Sequence, residues 1–187
     1  MDFAKTATAA IADPMKFWQQ NVEAADSHEA LRYSFVVSFF VFAGFLFHYT
    51  ITGQIWNYYP FEHTTLTVGR AIPCAIVQWM LYATFPAVNT FLMDATIFRK
   101  STLAESKQRL IVVAYALTPL CISWLFVGVP FLHKPTVVLG LAIFAYSLFF
   151  GYRILLGYTL LRSAILTGAT YVLYEIFRQI VTYLIGF

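Results

Sequence analysis

The chain has 187 residues, of which 60% are hydrophobic and only 11% charged, and its mean hydropathy is +0.70. A water-soluble domain carries roughly 25% charged residues, so this surface is built for lipid. A net charge of +3 is too small to argue for nucleic acid as a partner, and the length suits one domain.

Residues 1–31 are the polar, amphipathic part of the sequence. Their apolar run, Ala7 to Ala12, is short and stops at Asp13-Pro14, so no cleavable signal peptide is expected. Asp13 suits a helix cap and Pro14 the first helical position. Beyond them Met15, Trp18, Val22 and Ala25 fall at i, i+3, i+7 and i+10, with Lys16, Gln19, Gln20 and Glu23 elsewhere. This predicts either a helix lying in the membrane interface, anchored by Phe17 and Trp18, or one packed on the end of the bundle.

Five apolar stretches follow, near Tyr33–Ile51, Ala71–Phe91, Leu110–Phe131, Thr136–Leu156 and Ser163–Leu184. Each approaches the ~20 residues that cross a ~30 Å hydrocarbon core. The expected fold is an all-α integral membrane bundle of about five transmembrane helices, residues 32–187, preceded by the interfacial segment. Turns are expected at His133-Lys134-Pro135 and around Gly157 to Arg162, and turns this short make consecutive spans antiparallel. With the N-terminus in the cytoplasm, one side gathers Lys5, Lys16, Arg32, Arg99, Lys100, Lys107, Arg109, Arg153 and Arg162. The other holds Arg70 and Lys134. That is the positive-inside pattern, and it places the C-terminus on the far side. Trp56, Tyr58, Tyr59 and Phe61, after the first span, read as headgroup-level anchors.

Few residues could carry chemistry. Glu175 and Arg178 stand at i and i+3 in the fifth span, where a charge must pair or face a polar cavity. Gln78 and Asn89 in the second span, with Thr118 and Ser123 in the third, can bond between helices or line a small cavity. His48 is a lone histidine in the first span with no second ligand at suitable spacing, and His63 and His133 fall in expected solvated loops. Asp94 reads as an interface charge near Arg99 and Lys100. Cys74 and Cys121 read as small apolar core residues. Pro73, Pro86 and Pro119 can kink their helices, while Ser147-xxx-Gly151 and Ala164-xxx-Gly168 allow close helix approach. No phosphate-binding glycine loop, HExxH or GxSxG is present, and no enzyme site, metal site or cofactor other than bilayer lipid is expected.

The run Ala114-Tyr-Ala-Leu-Thr-Pro-Leu-Cys-Ile-Ser123, followed by an apolar stretch to Val129-Pro130, resembles the Yip family. These are small multi-pass membrane proteins named for interaction with Ypt/Rab GTPases, with bacterial relatives. Phe149-Phe-Gly-Tyr-Arg153 with Gly157 is similar to the family's fourth-helix ending, and Asp13-Pro-Met-Lys-Phe-Trp18 to the opening of bacterial members. The acidic-Tyr-Gly-Pro motif of the eukaryotic Rab-linked members is absent. The resemblance implies a five-helix fold in a bacterial inner membrane and supplies no catalytic residues. Two functions remain open at this level. One is a non-enzymatic scaffold or accessory subunit of a larger membrane complex, packing on other subunits or on itself. The other is a small transporter or channel using Glu175, Arg178 and the polar residues of the second and third spans.

Overall fold

In a computed structural model the described residues are 3–21, 26–52, 65–98 and 102–185, and they form helices and turns with no strand among them. Helix α1 is Phe3–Ala12 and α2 Pro14–Asn21; α3 is Ser27–Val37 and α4 Phe39–Phe47, ending in a π-helical turn His48–Thr52. Then come α5 (Val68–Thr96), α6 (Leu103–Ala116), α7 (Thr118–Trp124), α8 (Pro130–Ile154) and α9 (Leu160–Ile185). Four helical runs are long and apolar enough to cross a membrane: Ser27–Thr52, Val68–Thr96, Phe131–Ile154 and Leu160–Val181. The chain is therefore an all-α integral membrane protein.

The third apolar stretch is the axis of the bundle, and it is bent. Pro119 has no N–H to offer the Tyr115 carbonyl. The Thr118 hydroxyl takes that acceptor instead, at 2.7 Å, and Leu117 is the break between α6 and α7. Val112, Val113, Ala114, Ala116, Leu117 and Leu120 are wholly buried, enclosed by α3–α4, α5 and α8. Helix α9 is peripheral and lies against α5 and α8.

Local chemistry explains the ends. Asp13 accepts from the Lys16 amide at 3.0 Å, the cap the sequence predicts. Thr102 and Glu105 form a reciprocal capping box at the start of α6. Gly157, with φ +64°, takes the left-handed position that ends the α8 turn, where the sequence places a hairpin. The other expected turn, His133-Lys134-Pro135, is corrected. The reversal is at Leu125–Val129, and α8 begins at Pro130, which suits a first helical position. Pro135 falls in the second turn of α8 and costs only one hydrogen bond, so the helix runs through it. His133 is consequently buried against the Trp124 ring, centroids 5.6 Å apart, rather than solvated in a loop.

The N-terminal segment is part of the bundle. Helix α1, which the sequence does not announce, packs on α2 and α7, and α2 packs on α8. The buried face of α2 is Pro14, Phe17 and Trp18, at i, i+3 and i+4, while Met15 is 40% exposed. Phe17 and Trp18 are 3% and 2% exposed, so the interfacial-anchor role expected of them is replaced by packing on protein. The reason is a built receptacle. The Trp18 indole donates to the Ser147 hydroxyl at 3.1 Å and lies over Gly151, where an added Cβ would come within 3.0 Å of the ring. The Ser147-xxx-Gly151 pair thus admits an aromatic ring from α2. Phe17, Tyr115, Tyr33 and Phe3 continue the cluster, with centroid spacings of 5.5, 4.7 and 5.3 Å. Trp56, Tyr58 and Tyr59 lie outside the described residues, as does His63.

Candidate functional site

Helix α9 carries the charged pair. Arg178 donates from Nε and Nη2 to Glu175 Oε2 at 3.0 and 2.8 Å, and the two side chains are 31% and 29% exposed. At 1.5 Å per residue Glu175 stands about 20 Å along the helix from the interfacial Arg162, well inside a ~30 Å core. The i, i+3 spacing legible in the sequence gives this pairing, and about a third of each side chain stays uncovered by the bundle.

The other expected site residues sit at separate levels. Gln78 is buried and bonds the Tyr49 hydroxyl of the π-turn. His48 is buried in that turn, its Nδ1 2.8 Å from the Thr52 hydroxyl. Asn89 is 1% exposed beside the Tyr152 hydroxyl, and neither of its amide atoms completes a hydrogen bond of good geometry. Gln78 and Asn89 share a buried face of α5 but are about 16 Å apart along its axis. Among the described residues no group of three His, Cys, Asp or Glu side chains is placed to hold a metal.

Sequence reasoning missed several polar joints. Asp94 pairs with Arg109, which is 1% exposed, while Arg99 and Lys100 lie outside the described residues. The Arg109 guanidinium also lies 4.4 Å from the Phe98 ring centre, while Arg162 stacks on Tyr158 at 3.9 Å. Together these tie the α5–α6 and α8–α9 turns. Tyr82 and Tyr174 join α5 to α9 through their hydroxyls at 2.7 Å, Tyr152 meets Thr170 at 2.8 Å, and Tyr33 meets Thr118 at 2.9 Å. The signal for the α9 joints was available: Ser163, Thr167, Thr170 and Tyr174 recur at helical spacing.

Two features face outward. Ala164 and Gly168 on α9 are exposed, and a Cβ added at Gly168 would meet nothing within 4 Å, so this small-residue pair is not used for close approach inside the chain. An apolar crevice of about 460 Å³, lined by Phe3, Phe35, Val36, Phe39, Phe40 and Trp79, opens between α1, the α3–α4 rod and α5. It suits a bilayer acyl chain, since no polar group in it would reward any other occupant.

Compared with family models, curated proteins and solved structures, the chain matches none. What the fold defines is a class: an integral membrane bundle whose polar groups are spent mainly on tying helices together.

Proposed function

We propose that this chain is a non-enzymatic membrane subunit that docks a partner's transmembrane helix on the outer face of α9. The observation that carries the reading is the composition of that face. Ala164, Gly168, Val172, Glu175 and Gln179 fall at i, i+4, i+8, i+11 and i+15, so small residues and polar groups share one stripe. Gly168 and Gln179 are exposed, and Glu175 is half-exposed. In hydrocarbon there is no hydrophobic gain from joining helices. Close backbone approach over small residues and interhelical hydrogen bonds drive association, and this stripe offers both. A half-covered ion pair at that depth favours a neighbour that completes its shell, because a charge inside a bilayer costs about 2.5–3.5 kcal/mol even by the lower scales. The Yip-like run at 114–123 accords with an adaptor that performs no chemistry. The basic end of the bundle, with Arg153 and Arg162, faces the cytoplasm of a bacterial inner membrane on this reading, leaving the N-terminus cytoplasmic and the C-terminus periplasmic.

The test is a bulky substitution where the chain has room for it. Gly168→Leu leaves the bundle folded and abolishes co-migration with the partner on native gels in mild detergent. A wild-type protein that is monomeric in native membranes, or a Gly168→Leu variant that associates as before, overturns the proposal.

A second reading, a small transporter or channel, draws on the polar lining of the α5–α9 contact. It requires that Glu175→Gln change a measured flux in proteoliposomes, whereas the docking reading expects no flux to change.

A further inference from the structure

Arg32, Phe35, Val36, Phe39 and Phe40 stand at i, i+3, i+4, i+7 and i+8 of the α3–α4 rod. That spacing holds them on one face of a helix. Ser38 joins α3 to α4 with a helical φ of −67° and ψ of −13°, and its amide bonds the Ser34 carbonyl at 3.0 Å. The register therefore carries through the joint. The four apolar members wall the crevice of about 460 Å³, which Phe3 of α1 and Trp79 of α5 complete. The cation stands one turn before them, towards the N-terminal end of the span.

The walls brace one another. The Trp79 indole donates its one polar hydrogen to the Phe35 carbonyl at 3.2 Å, so the ring has only apolar surface left to offer. Phe35 packs on that ring with centroids 4.5 Å apart, Phe39 meets it edge-on at 6.0 Å, and Phe3 meets Phe40 at 6.5 Å. Rings held this way resist collapse into the gap.

The surroundings fix what fills it. The runs that flank the crevice, Ser27–Thr52 and Val68–Thr96, are both long and apolar enough to cross a membrane. Phe35, Val36 and Phe39 are 47, 51 and 52% exposed, and in a span that exposure is to hydrocarbon. Water does not enter an apolar recess. Phe40 is about 12 Å along the axis from Arg32, so the crevice fits within one leaflet, half of a ~30 Å core. The first run has 26 residues and is about 39 Å long. Centred on that core, it puts Arg32 about 3 Å inside the boundary, where a long side chain snorkels to the headgroups. Arg32 is half-buried and forms no ion pair among the described residues, although Glu29 stands three positions before it.

We infer that this crevice is a phospholipid site. One acyl chain lies between Trp79 and the Phe35–Phe39 face, and the Arg32 guanidinium holds the phosphate of an anionic headgroup. A guanidinium meets phosphate through paired N–H donors. A zwitterionic headgroup brings an ammonium that Arg32 repels, so a lipid of net negative charge is selected. The site does not rest on the docking face, because α9 contributes nothing to the crevice.

Quenching of Trp79 by brominated acyl chains tests the site in the full chain, reconstituted into phosphatidylcholine vesicles. The Trp79 signal is the difference between the wild type and Trp79→Phe. A minor fraction of brominated phosphatidylglycerol quenches it several-fold more than the same fraction of brominated phosphatidylcholine. Arg32→Gln abolishes that preference while both lipids still quench. Equal quenching of the wild type by the two lipids, or a preference that survives Arg32→Gln, overturns the proposal. So does the absence of quenching by either, which would show the crevice covered by protein. Native mass spectrometry of the wild type released from mixed vesicles needs no variant. It retains one phosphatidylglycerol per chain, and retention of the two lipids in proportion to their abundance overturns the site.

Discussion

Trp18 is the pin that holds the N-terminal helices to the bundle, and its removal should detach them without unfolding the rest. The indole is 2% exposed, bonds Ser147 at 3.1 Å, and sits edge-on to Tyr115 with ring centres 6.3 Å apart. Truncating a fully buried tryptophan costs about 3–5 kcal/mol. A released tryptophan goes to the headgroup region, where it is favoured, so the penalty for Trp18→Ala lies at the lower end, about 3 kcal/mol. At 1.4 kcal/mol per decade that raises the open population of α2 about a hundredfold. Lys16 is exposed within α2, two residues before Trp18, so tryptic cleavage there reports the opening. When opening and closing are fast relative to cleavage, the cleavage rate follows the open population. Proteolysis of detergent-solubilised protein should therefore speed up about a hundredfold at Lys16 while the thermal transition of the remaining helices is retained. Gly151→Ala attacks the same joint from the other side. Its Cβ would stand 2.7 Å from Val112 Cγ1 and 3.0 Å from Trp18 Cε2, an overpacking worth about 1–3 kcal/mol. If both variants leave cleavage at Lys16 unchanged, Trp18 does not fasten α2 and the account of this joint is wrong.

Three further outcomes follow from the packing. Gly44→Ala places a Cβ against the Trp124 carbonyl oxygen and 2.9 Å from Leu125 Cα, which are backbone atoms unable to rotate aside. It should lower the melting temperature sharply, whereas Gly168→Ala, with open space around it, should hold or raise it by its better helix propensity, worth up to about 1 kcal/mol; equal effects would contradict the placement of both glycines. Asp94→Leu strips the counter-charge from Arg109 and should cost about 3–5 kcal/mol, while the double variant with Arg109→Met recovers much of that. Additive losses in chemical denaturation would show the pair to be uncoupled. Tyr82→Phe removes one interhelical hydrogen bond and should cost only about 0.6 kcal/mol, the average for such bonds in membrane bundles, so a collapse of the fold in thermal scans would assign that hydroxyl a larger role.

Much of the architecture can be read from composition and local spacing. Apolar runs of near-membrane length fix a helical membrane protein, because hydrocarbon forces each backbone to satisfy itself. Asp13 before Pro14, Gly157 after α8 and Glu175 three residues before Arg178 are local signals, and the structure places each as its spacing implies. The fold of the segment before the first span is not local. Whether Phe17 and Trp18 face headgroups or protein depends on a receptacle built from Ser147 and Gly151, some 130 residues away, and no periodicity in α2 reports it. The same holds for Arg109, which is one more basic residue near a span end until α5 brings Asp94 beside it. Asn89 is an ordinary polar position in a span until α8 sets the Tyr152 hydroxyl beside it. The lipid solvent and the apolar stretches are legible in the residue order, since they depend on transfer energies summed along the chain. Which polar groups meet is fixed by the packing of distant helices, because a buried charge or hydroxyl is defined by its partner across the contact.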